Sequence, residues 1–256
     1  MNNPNPGEIA HPEDPDDDFD CAKFIDHVCD VLTARGDEIR RWLTDRGFWD
    51  VKVRTLPHRG SDCFEFLAPL INDQLVIGSL SGQRVEWGNL CRHEGNLLVA
   101  SMGAALGIGV GLALVLPHRK VIVLESDGSV LLSLYNLPTL GNLSLSNLVV
   151  FVFDNEVYSG TRISEPSATA GKTDLAGVAR SCGIERATTV REIESFKLEA
   201  KKALEENVLR FLVCKVDPTT KHRQIERPNE DLWEHKYRFV RYLERTEGKK
   251  IFLGRG

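Results

Sequence analysis

Two short turns in the middle of the chain carry the residue types that bind a hard metal ion. The first is Ser126-Asp127-Gly128-Ser129, after the apolar run 121–124, and the second is Asp154-Asn155-Glu156-Val157-Tyr158, after the apolar run 148–153. If both runs are buried parallel strands, an Asp and an Asn leave the same edge of one sheet. Such oxygens suit Mg²⁺, which prefers octahedral coordination and is usually shared with a phosphate. A plain turn between strands also fits these residues.

A glycine-rich segment lies upstream of the first turn. Gly103, Gly107 and Gly111 recur every four residues, which places them on one face of a helix predicted over 98–115. Such a face lets a helix approach a neighbouring backbone closely, which explains glycines that would otherwise weaken the helix. The apolar stretch is shorter than a membrane span, and His118-Arg119-Lys120 follows it. We therefore expect a buried helix.

Helices and strands are expected to alternate around these turns. The apolar patterns predict helices over 64–70, 98–115, 130–141, 173–182, 191–206 and 229–246, and strands over 75–77, 121–124, 148–153, 186–189 and 209–216. This order predicts an α/β fold, a three-layer α/β/α sandwich with a mainly parallel sheet. Ligands of such sheets bind at the carboxyl ends of the strands, where both turns fall.

The order of these motifs resembles that of enzymes that use thiamine diphosphate. Their motif is Gly-Asp-Gly followed, at about the spacing seen here, by Asn-Asn; in this chain 25 residues (129 to 153) separate Gly128 from Asp154. Ser126 stands where the family usually has Gly, and Asp154 where it has the first Asn. Residues 75–217 look like the diphosphate-binding half of the decarboxylases that act on sulfopyruvate and phosphonopyruvate. The beta subunit of the sulfopyruvate enzymes, a separate chain, is the nearest resemblance.

The resemblance implies a role for each residue of the two turns. Asp127 would bind Mg²⁺ through its carboxylate, Asn155 through its side-chain oxygen and Val157 through its backbone carbonyl. The backbone N–H groups of Gly128 and Ser129, at the start of a helix, would cap a phosphate. Ser129 as an ordinary helix N-cap is an equally good account.

Other positions would contact the cofactor from the opposite side. Ser79 follows the first core strand and would reach the diphosphate, and Ser101 belongs to the same cofactor-binding set. Met102 matches the bulky residue that props the cofactor in a bent conformation, and the carbonyl of Ala100 would accept a hydrogen bond from its amino group. Tyr158 would pack beside the metal turn. For Ser79 a plain turn, and for Met102 and Tyr158 ordinary core packing, are the competing accounts.

The activating glutamate of these enzymes is expected on another chain. When bound, thiamine diphosphate supplies the electron sink for loss of CO₂ from a 2-oxo acid. The family sets the tautomer of the cofactor with a glutamate of a separate pyrimidine-binding domain. Glu94 and Glu125 do not match its pattern, and residues 1–74 are too short to form that domain. The resemblance therefore implies a hetero-oligomer with an alpha-type partner chain.

Two further residues are candidate substrate contacts. His93 precedes the glycine-rich segment, and Arg162 follows the second turn. A solvated loop for His93 and a surface ion pair for Arg162 explain these residues as well.

Composition restricts the remaining possibilities. A net charge of −5 over 256 residues without a basic stripe makes nucleic acid an unlikely partner. Residues 1–20 are predicted to be a disordered acidic tail, 21–74 a helical extension, 75–217 the thiamine diphosphate-binding domain, and 218–256 a helical C-terminal extension. No secretory signal or membrane segment is expected. Six cysteines without a Cys-x-x-Cys pair favour reduced thiols in the cytoplasm.

Three functions fit the sequence. The leading one is the cofactor-binding subunit of a two-chain 2-oxo acid decarboxylase. A carboligase or acyl-transferring enzyme would use the same cofactor, and residues of the partner chain would decide between them. The beta subunit of 2-oxo acid:ferredoxin oxidoreductases shares the domain, but the expected cysteine pairs are absent from this sequence. A degenerate, non-catalytic scaffold subunit is the third.

Overall fold

A computed structural model describes residues 59–79, 82–158, 165–217 and 232–252, together with the helical positions 35, 38, 41 and 45. For residues 82–84 and 232–233 it describes the backbone alone. The chain divides into two units, residues 1–50 and 51–256, and the second contains all of the elements below. The predicted acidic tail over 1–20, most of the predicted helical extension over 21–74, and Arg162 lie outside the described residues.

The elements of the second unit are these. The helices are α1 (Gly60–Leu67), α2 (Gly82–Leu90), α3 (Ala104–Val115), α4 (Asp127–Leu132), α5 (Asn136–Leu143), α6 (Leu175–Ser181), α7 (Ile193–Glu205) and α8 (Leu232–Glu247). The strands are β1 (Leu75–Gly78), β2 (Asn96–Leu98), β3 (Val121–Ser126), β4 (Leu148–Asp154), β5 (Val157–Tyr158), β6 (Glu165–Pro166), β7 (Ala187–Val190) and β8 (Arg210–Lys215). Two 3₁₀ turns cover Ala68–Leu70 and Ala168–Ala170.

Six strands form one sheet in the order β2-β1-β3-β4-β8-β7, and every neighbouring pair is parallel. Strands β5 and β6 form a separate antiparallel pair. The register of β3 and β4 runs from Val121 opposite Leu148 to Ser126 opposite Phe153. The chain therefore leaves both strands at the same level, and the two turns lie side by side.

The sheet has an apolar core on each face, because successive strand residues point to opposite sides. On one face Ile77, Val123 and Val150 pack with α3, α5, α6 and α8. On the other face Ile122 and Phe151 pack with α1 and α7. Near-continuous apolar strands are typical of parallel sheets covered on both faces. The predicted three-layer α/β/α fold is confirmed.

The helix predicted over 98–115 is wrong in its first part. The chain forms β2 up to Leu98, then a turn, and α3 begins only at Ala104. Gly103 has φ of +76°, a left-handed conformation that glycine adopts without strain and that ends the turn before the helix. The pattern also missed α2, and the single helix predicted over 130–141 is two, α4 and α5.

Within this chain, the glycine face does not have the predicted role of a close contact with a neighbouring backbone. A Cβ atom added to Gly111 would meet nothing within 4 Å, and one on Gly107 would meet only Asn136 Oδ1, at 3.9 Å. The glycine that permits close packing is Gly109, where a Cβ would lie 2.2 Å from Val123 Cγ2. The four-residue spacing therefore marks the outer face of α3, and the inner face depends on a glycine outside that spacing.

None of the helices in the described part of the chain is long and apolar enough to cross a membrane.

Candidate active site

Asp127 lies at the centre of the carboxyl edge of the sheet. It follows β3 directly, begins α4 and is 1% exposed. Its Oδ2 accepts a hydrogen bond from Ser167 Oγ at 2.5 Å and lies 3.2 Å from Thr169 Oγ1. Burial, and then the nearby charge of Asp154, raise the pKa of Asp127 to about 6, although the two hydroxyl donors act in the opposite direction. A divalent cation would reverse this effect by favouring the charged carboxylate.

Ser126 and Ser129 have roles that differ from those expected. The N-cap of α4 is Ser126, whose Oγ accepts the Ser129 N–H at 3.3 Å. The N-cap account of Ser129 is therefore wrong, and its N–H already has a partner within the chain. The Ser129 hydroxyl instead accepts the Gly103 N–H at 2.8 Å, which ties the turn before α3 to the start of α4.

The second turn begins at the end of β4 and is held by its own side chains. Asp154 Oδ1 accepts the Glu156 N–H at 3.0 Å, and Asn155 Oδ1 accepts the Val157 N–H at 3.2 Å. Glu156 has φ of +64°, a left-handed conformation that is unusual for a residue other than glycine. The Thr169 hydroxyl lies 2.7 Å from Asp154 Oδ1 and also contacts Asp127, so it links the two turns.

Met102 and Tyr158 both lie against Gly128. A Cβ added to Gly128 would be 2.5 Å from Tyr158 Cε1 and 3.5 Å from Met102 Cε. The fold thus brings together three predicted site residues from the turn before α3, the start of α4 and strand β5. A side chain at position 128 would collide with the Tyr158 ring, which explains glycine there.

The remaining predicted contacts lie along the same edge. Ser79 follows β1, is 2% exposed, and donates its N–H to Leu124 O at 2.9 Å. Ala100 and Ser101 are exposed in the turn before α3, and Ser101 Oγ donates to Met102 O at 3.2 Å.

Glu125 is a buried residue whose place the sequence did not indicate. Its Oε1 accepts the Leu106 N–H at 3.0 Å, so it caps the start of α3 from the neighbouring strand. Within the described part of the chain, Glu125 Oε2 and Ser79 Oγ are buried oxygens without a hydrogen-bond partner. Burial raises the pKa of Glu125. Orphaned buried oxygens are expected at an edge that binds a polar ligand.

His93 and Glu94 lie at the opposite end of the strands, because they precede β2. The His93 ring packs edge-on against Tyr242 at 5.4 Å, and burial together with Arg119 lowers its pKa. Glu94 pairs with Arg245 of α8. His93 is thus neither a substrate contact at the site nor a fully solvated loop residue.

The chemistry of the donors fits Mg²⁺ and a diphosphate. Asp127 and Asn155 offer hard side-chain oxygens at neighbouring strand ends. Val157, two residues after Asn155, would offer its backbone carbonyl. Among the residues that the structure describes, no three His, Cys, Asp or Glu side chains converge as a metal site. An ion held here would therefore need amide, carbonyl and phosphate oxygens as well as the Asp127 carboxylate.

The site includes three polar residues that the sequence analysis had not assigned a role: Ser167, Thr169 and Lys215. The two hydroxyls alternate along the chain after β6, and Lys215 is a charged residue at the end of an apolar strand. In the sequence, a lysine at the end of an apolar strand was the signal that could have pointed to this residue. The structure then places it opposite Asp154 in the register of β4 and β8.

The family of the chain follows from a match over its core. Residues 85–214, about half of the chain, match the family described as thiamine pyrophosphate enzyme, C-terminal TPP binding domain. The chain belongs to this family. The matched region contains both turns, Met102 and Gly128.

Curated relatives and a solved structure extend the comparison. The sulfopyruvate decarboxylase subunit beta of Methanocaldococcus jannaschii is 35% identical over 156 residues, which cover 60% of this chain and 80% of the relative. The phosphonopyruvate decarboxylase of Streptomyces viridochromogenes is 36% identical over 128 residues, but the match covers only 32% of that protein. A structure of benzoylformate decarboxylase from Polynucleobacter necessarius superimposes with a TM-score of 0.54 at 17% identity, over 66% of this chain and 35% of that one. At that identity the structure supports the fold alone.

Proposed function

We propose that the chain is the cofactor-binding subunit of a two-chain 2-oxo acid decarboxylase that uses thiamine diphosphate and Mg²⁺. The observation that carries the proposal is the pair of turns at the ends of β3 and β4, held side by side by strand register. Asp127, Asn155 and the Val157 carbonyl would hold Mg²⁺. The Gly128 backbone and Ser79 would face the diphosphate, and Met102 with the Ala100 carbonyl and Ser101 would face the rest of the cofactor.

The partner chain would supply what this chain lacks. The relative from Methanocaldococcus jannaschii is named as a beta subunit, which implies an alpha-type partner. Glu125 caps α3 and Glu94 lies at the far edge, so neither replaces the activating glutamate of the family. We therefore expect an αβ or α₂β₂ assembly with the cofactor between the chains. Sulfopyruvate and phosphonopyruvate are the first substrates to test, because enzymes for both are among the relatives.

Titration calorimetry of the assembled complex with thiamine diphosphate tests the metal site. Asp127→Ala and Asn155→Ala are each expected to abolish Mg²⁺-dependent binding, since the ion tolerates little distortion of its octahedral shell. Glu185→Ala, at an exposed position just before β7 and so at the opposite edge of the sheet, is the control and should bind normally. Unchanged affinity in both site variants would contradict the proposed metal site.

Release of CO₂ from a 2-oxo acid tests the reaction and the division between chains. We expect no turnover by the chain alone and enzymatic turnover once the partner is added. Turnover without a partner would contradict the two-chain assignment. If the CO₂ is accompanied by ligation of the remaining acyl fragment to an acceptor, in place of release of the free aldehyde, the result would favour the carboligase. An assembled complex that binds no cofactor would favour the scaffold.

A further inference from the structure

Lys215 is a buried cation directly behind the second turn. It ends β8, is 6% exposed and stands opposite Asp154 in the register of β4 and β8. Its Nζ lies 2.8 Å from Asp154 Oδ2 and 2.8 Å from Glu156 Oε1, and it donates to Thr169 O at 3.2 Å. One buried positive charge therefore faces two buried carboxylates of the same turn.

Asp154 is directed toward this cation and the turn backbone. Its Oδ2 pairs with Lys215, while Oδ1 accepts from Thr169 Oγ1 and from the Glu156 N–H. A buried carboxylate is stable only with such partners, whereas an amide of the same shape would need no cation. The residue thus organises the turn, and its charge requires Lys215.

Glu156 is held at three points. Its N–H binds Asp154, its carbonyl accepts the Ser167 N–H at 2.8 Å, and its carboxylate binds Lys215. These contacts maintain the left-handed backbone at φ of +64°, which a non-glycine residue adopts only when its surroundings enforce it. The residues on either side of Glu156 are Asn155 and Val157, the two proposed ligands of the second turn.

We infer that Lys215 is a positioning residue for the metal site: through Asp154 and Glu156 it holds the turn that presents Asn155 and the Val157 carbonyl to Mg²⁺. The inference rests on the proposed function of that turn. Lys215 also offsets the charges of Asp154 and Glu156, the two buried carboxylates of the second turn.

A double-mutant cycle read by calorimetry on the assembled complex tests this role. Lys215→Met keeps most of the side-chain stem and removes the charge, and it should weaken Mg²⁺-dependent binding of thiamine diphosphate at least tenfold. In the background Asp154→Asn with Glu156→Gly, the carboxylates are gone and glycine adopts the left-handed backbone unaided. In that background, the Lys215→Met change should weaken Mg²⁺-dependent binding of thiamine diphosphate less than twofold.

If Lys215→Met lowers the affinity for thiamine diphosphate equally in both backgrounds, or in neither, the inference is overturned. It is also overturned if the Asp154→Asn, Glu156→Gly background itself no longer binds thiamine diphosphate. If Lys215→Met alone does not fold, the triple variant carries the test. The triple variant must then fold, and it must bind thiamine diphosphate as tightly as the double variant does. If it does not, the positioning role of Lys215 is overturned.

Hydrogen exchange without cofactor separates this inference from the proposed function. The Ser167 amide, which binds the Glu156 carbonyl, should exchange at least tenfold faster in Lys215→Met, while the core amide of Val123 should not change. If the wild-type complex binds no thiamine diphosphate but exchange at Ser167 is faster in Lys215→Met, the proposed function is refuted, whereas Lys215 still holds the second turn. Unchanged exchange at Ser167 would overturn the positioning role.

Discussion

At the scale of single residues, the site depends on carboxylates that are buried before any ion is bound. Asp127 is fully enclosed, and its neighbours Ser167 and Thr169 satisfy one oxygen while Asp154 repels its charge. Such an arrangement favours a proton when no metal is present and a cation when one is. The two states should therefore differ in their response to pH.

The metal-free protein should lose stability as pH rises from about 4 to about 6. The folded state raises the pKa of Asp127 from 3.8 to about 6, so in that range it holds a proton that the unfolded state has released. The cost at neutral pH is at most about 3 kcal/mol, since each unit of pKa corresponds to about 1.4 kcal/mol. Asp127→Asn should remove this part of the pH dependence.

Urea unfolding at pH 4.5 to 7 in the presence of a chelator measures this effect, with Asp174→Asn as an exposed control. Identical pH profiles for the wild type and Asp127→Asn would show that Asp127 does not hold the proton.

Met102 provides a second prediction at this scale. If it props the cofactor, Met102→Ala should lower turnover far more than cofactor affinity, because a displacement of about 1 Å can cost on the order of a hundredfold in rate. Turnover and titration calorimetry on the same complex give the two quantities. Parallel losses, or none, would support the account of Met102 as ordinary core packing.

At the scale of the elements, β3 and α3 position the site together. Gly109 lets α3 lie on Val123 of β3, and Glu125 at the end of that strand caps α3 in return. Gly103 N–H, bound to Ser129, fixes the turn that carries Met102. The spacing between the helix and the strand therefore sets the distance between Met102 and the first turn.

Gly109→Ala should destabilise the protein, because its Cβ would lie 2.2 Å from Val123 Cγ2. Overpacking of this kind costs about 1–3 kcal/mol, partly offset by the better helix propensity of alanine. Gly111→Ala is the matched control on the same helix, where the space is open, and it should stabilise by up to about 1 kcal/mol. Urea unfolding compares the two, and equal effects would refute the packing argument.

At the scale of the whole molecule, the outer face of α3 is the surface that we expect to meet the partner chain. Gly107 and Gly111 are exposed, a Cβ on Gly111 would meet nothing within 4 Å, and Leu114 on the same face is 48% exposed. Glycines on an outward helix face allow a second backbone to approach closely. The conclusion belongs to the proposed two-chain assembly.

Gly111→Leu should therefore weaken assembly at least tenfold, while the isolated chain should be no less stable than the wild type. Ser195→Leu, at an exposed position of α7 on the other side of the sheet, serves as the control. Analytical ultracentrifugation of the mixed chains measures the association. Full assembly of Gly111→Leu would exclude this face from the interface.

The sequence by itself determined the α/β class, most strands and the two turns, because apolar runs and turn residues are local signals. The sequence pattern failed where tertiary contacts override local helix preference. The helix expected from residue 98 begins only at Ala104, because β2 pairs with β1 up to Leu98 and Gly103 adopts a left-handed turn. The resemblance to thiamine diphosphate enzymes identified Asp127, Gly128 and Met102 from motif order alone.

Only the tertiary structure decided which side chains surround those residues. Ser167 is 40 positions from its partner Asp127. Lys215 is 59 positions from Glu156 and 61 from Asp154, the two carboxylates that it binds. Parallel strands joined by helices bring such distant positions to one edge, and sequence spacing does not record the strand order. The proposed ligands were therefore readable in the chain, whereas the groups that hold the two turns in place depend on the order of strands in the sheet.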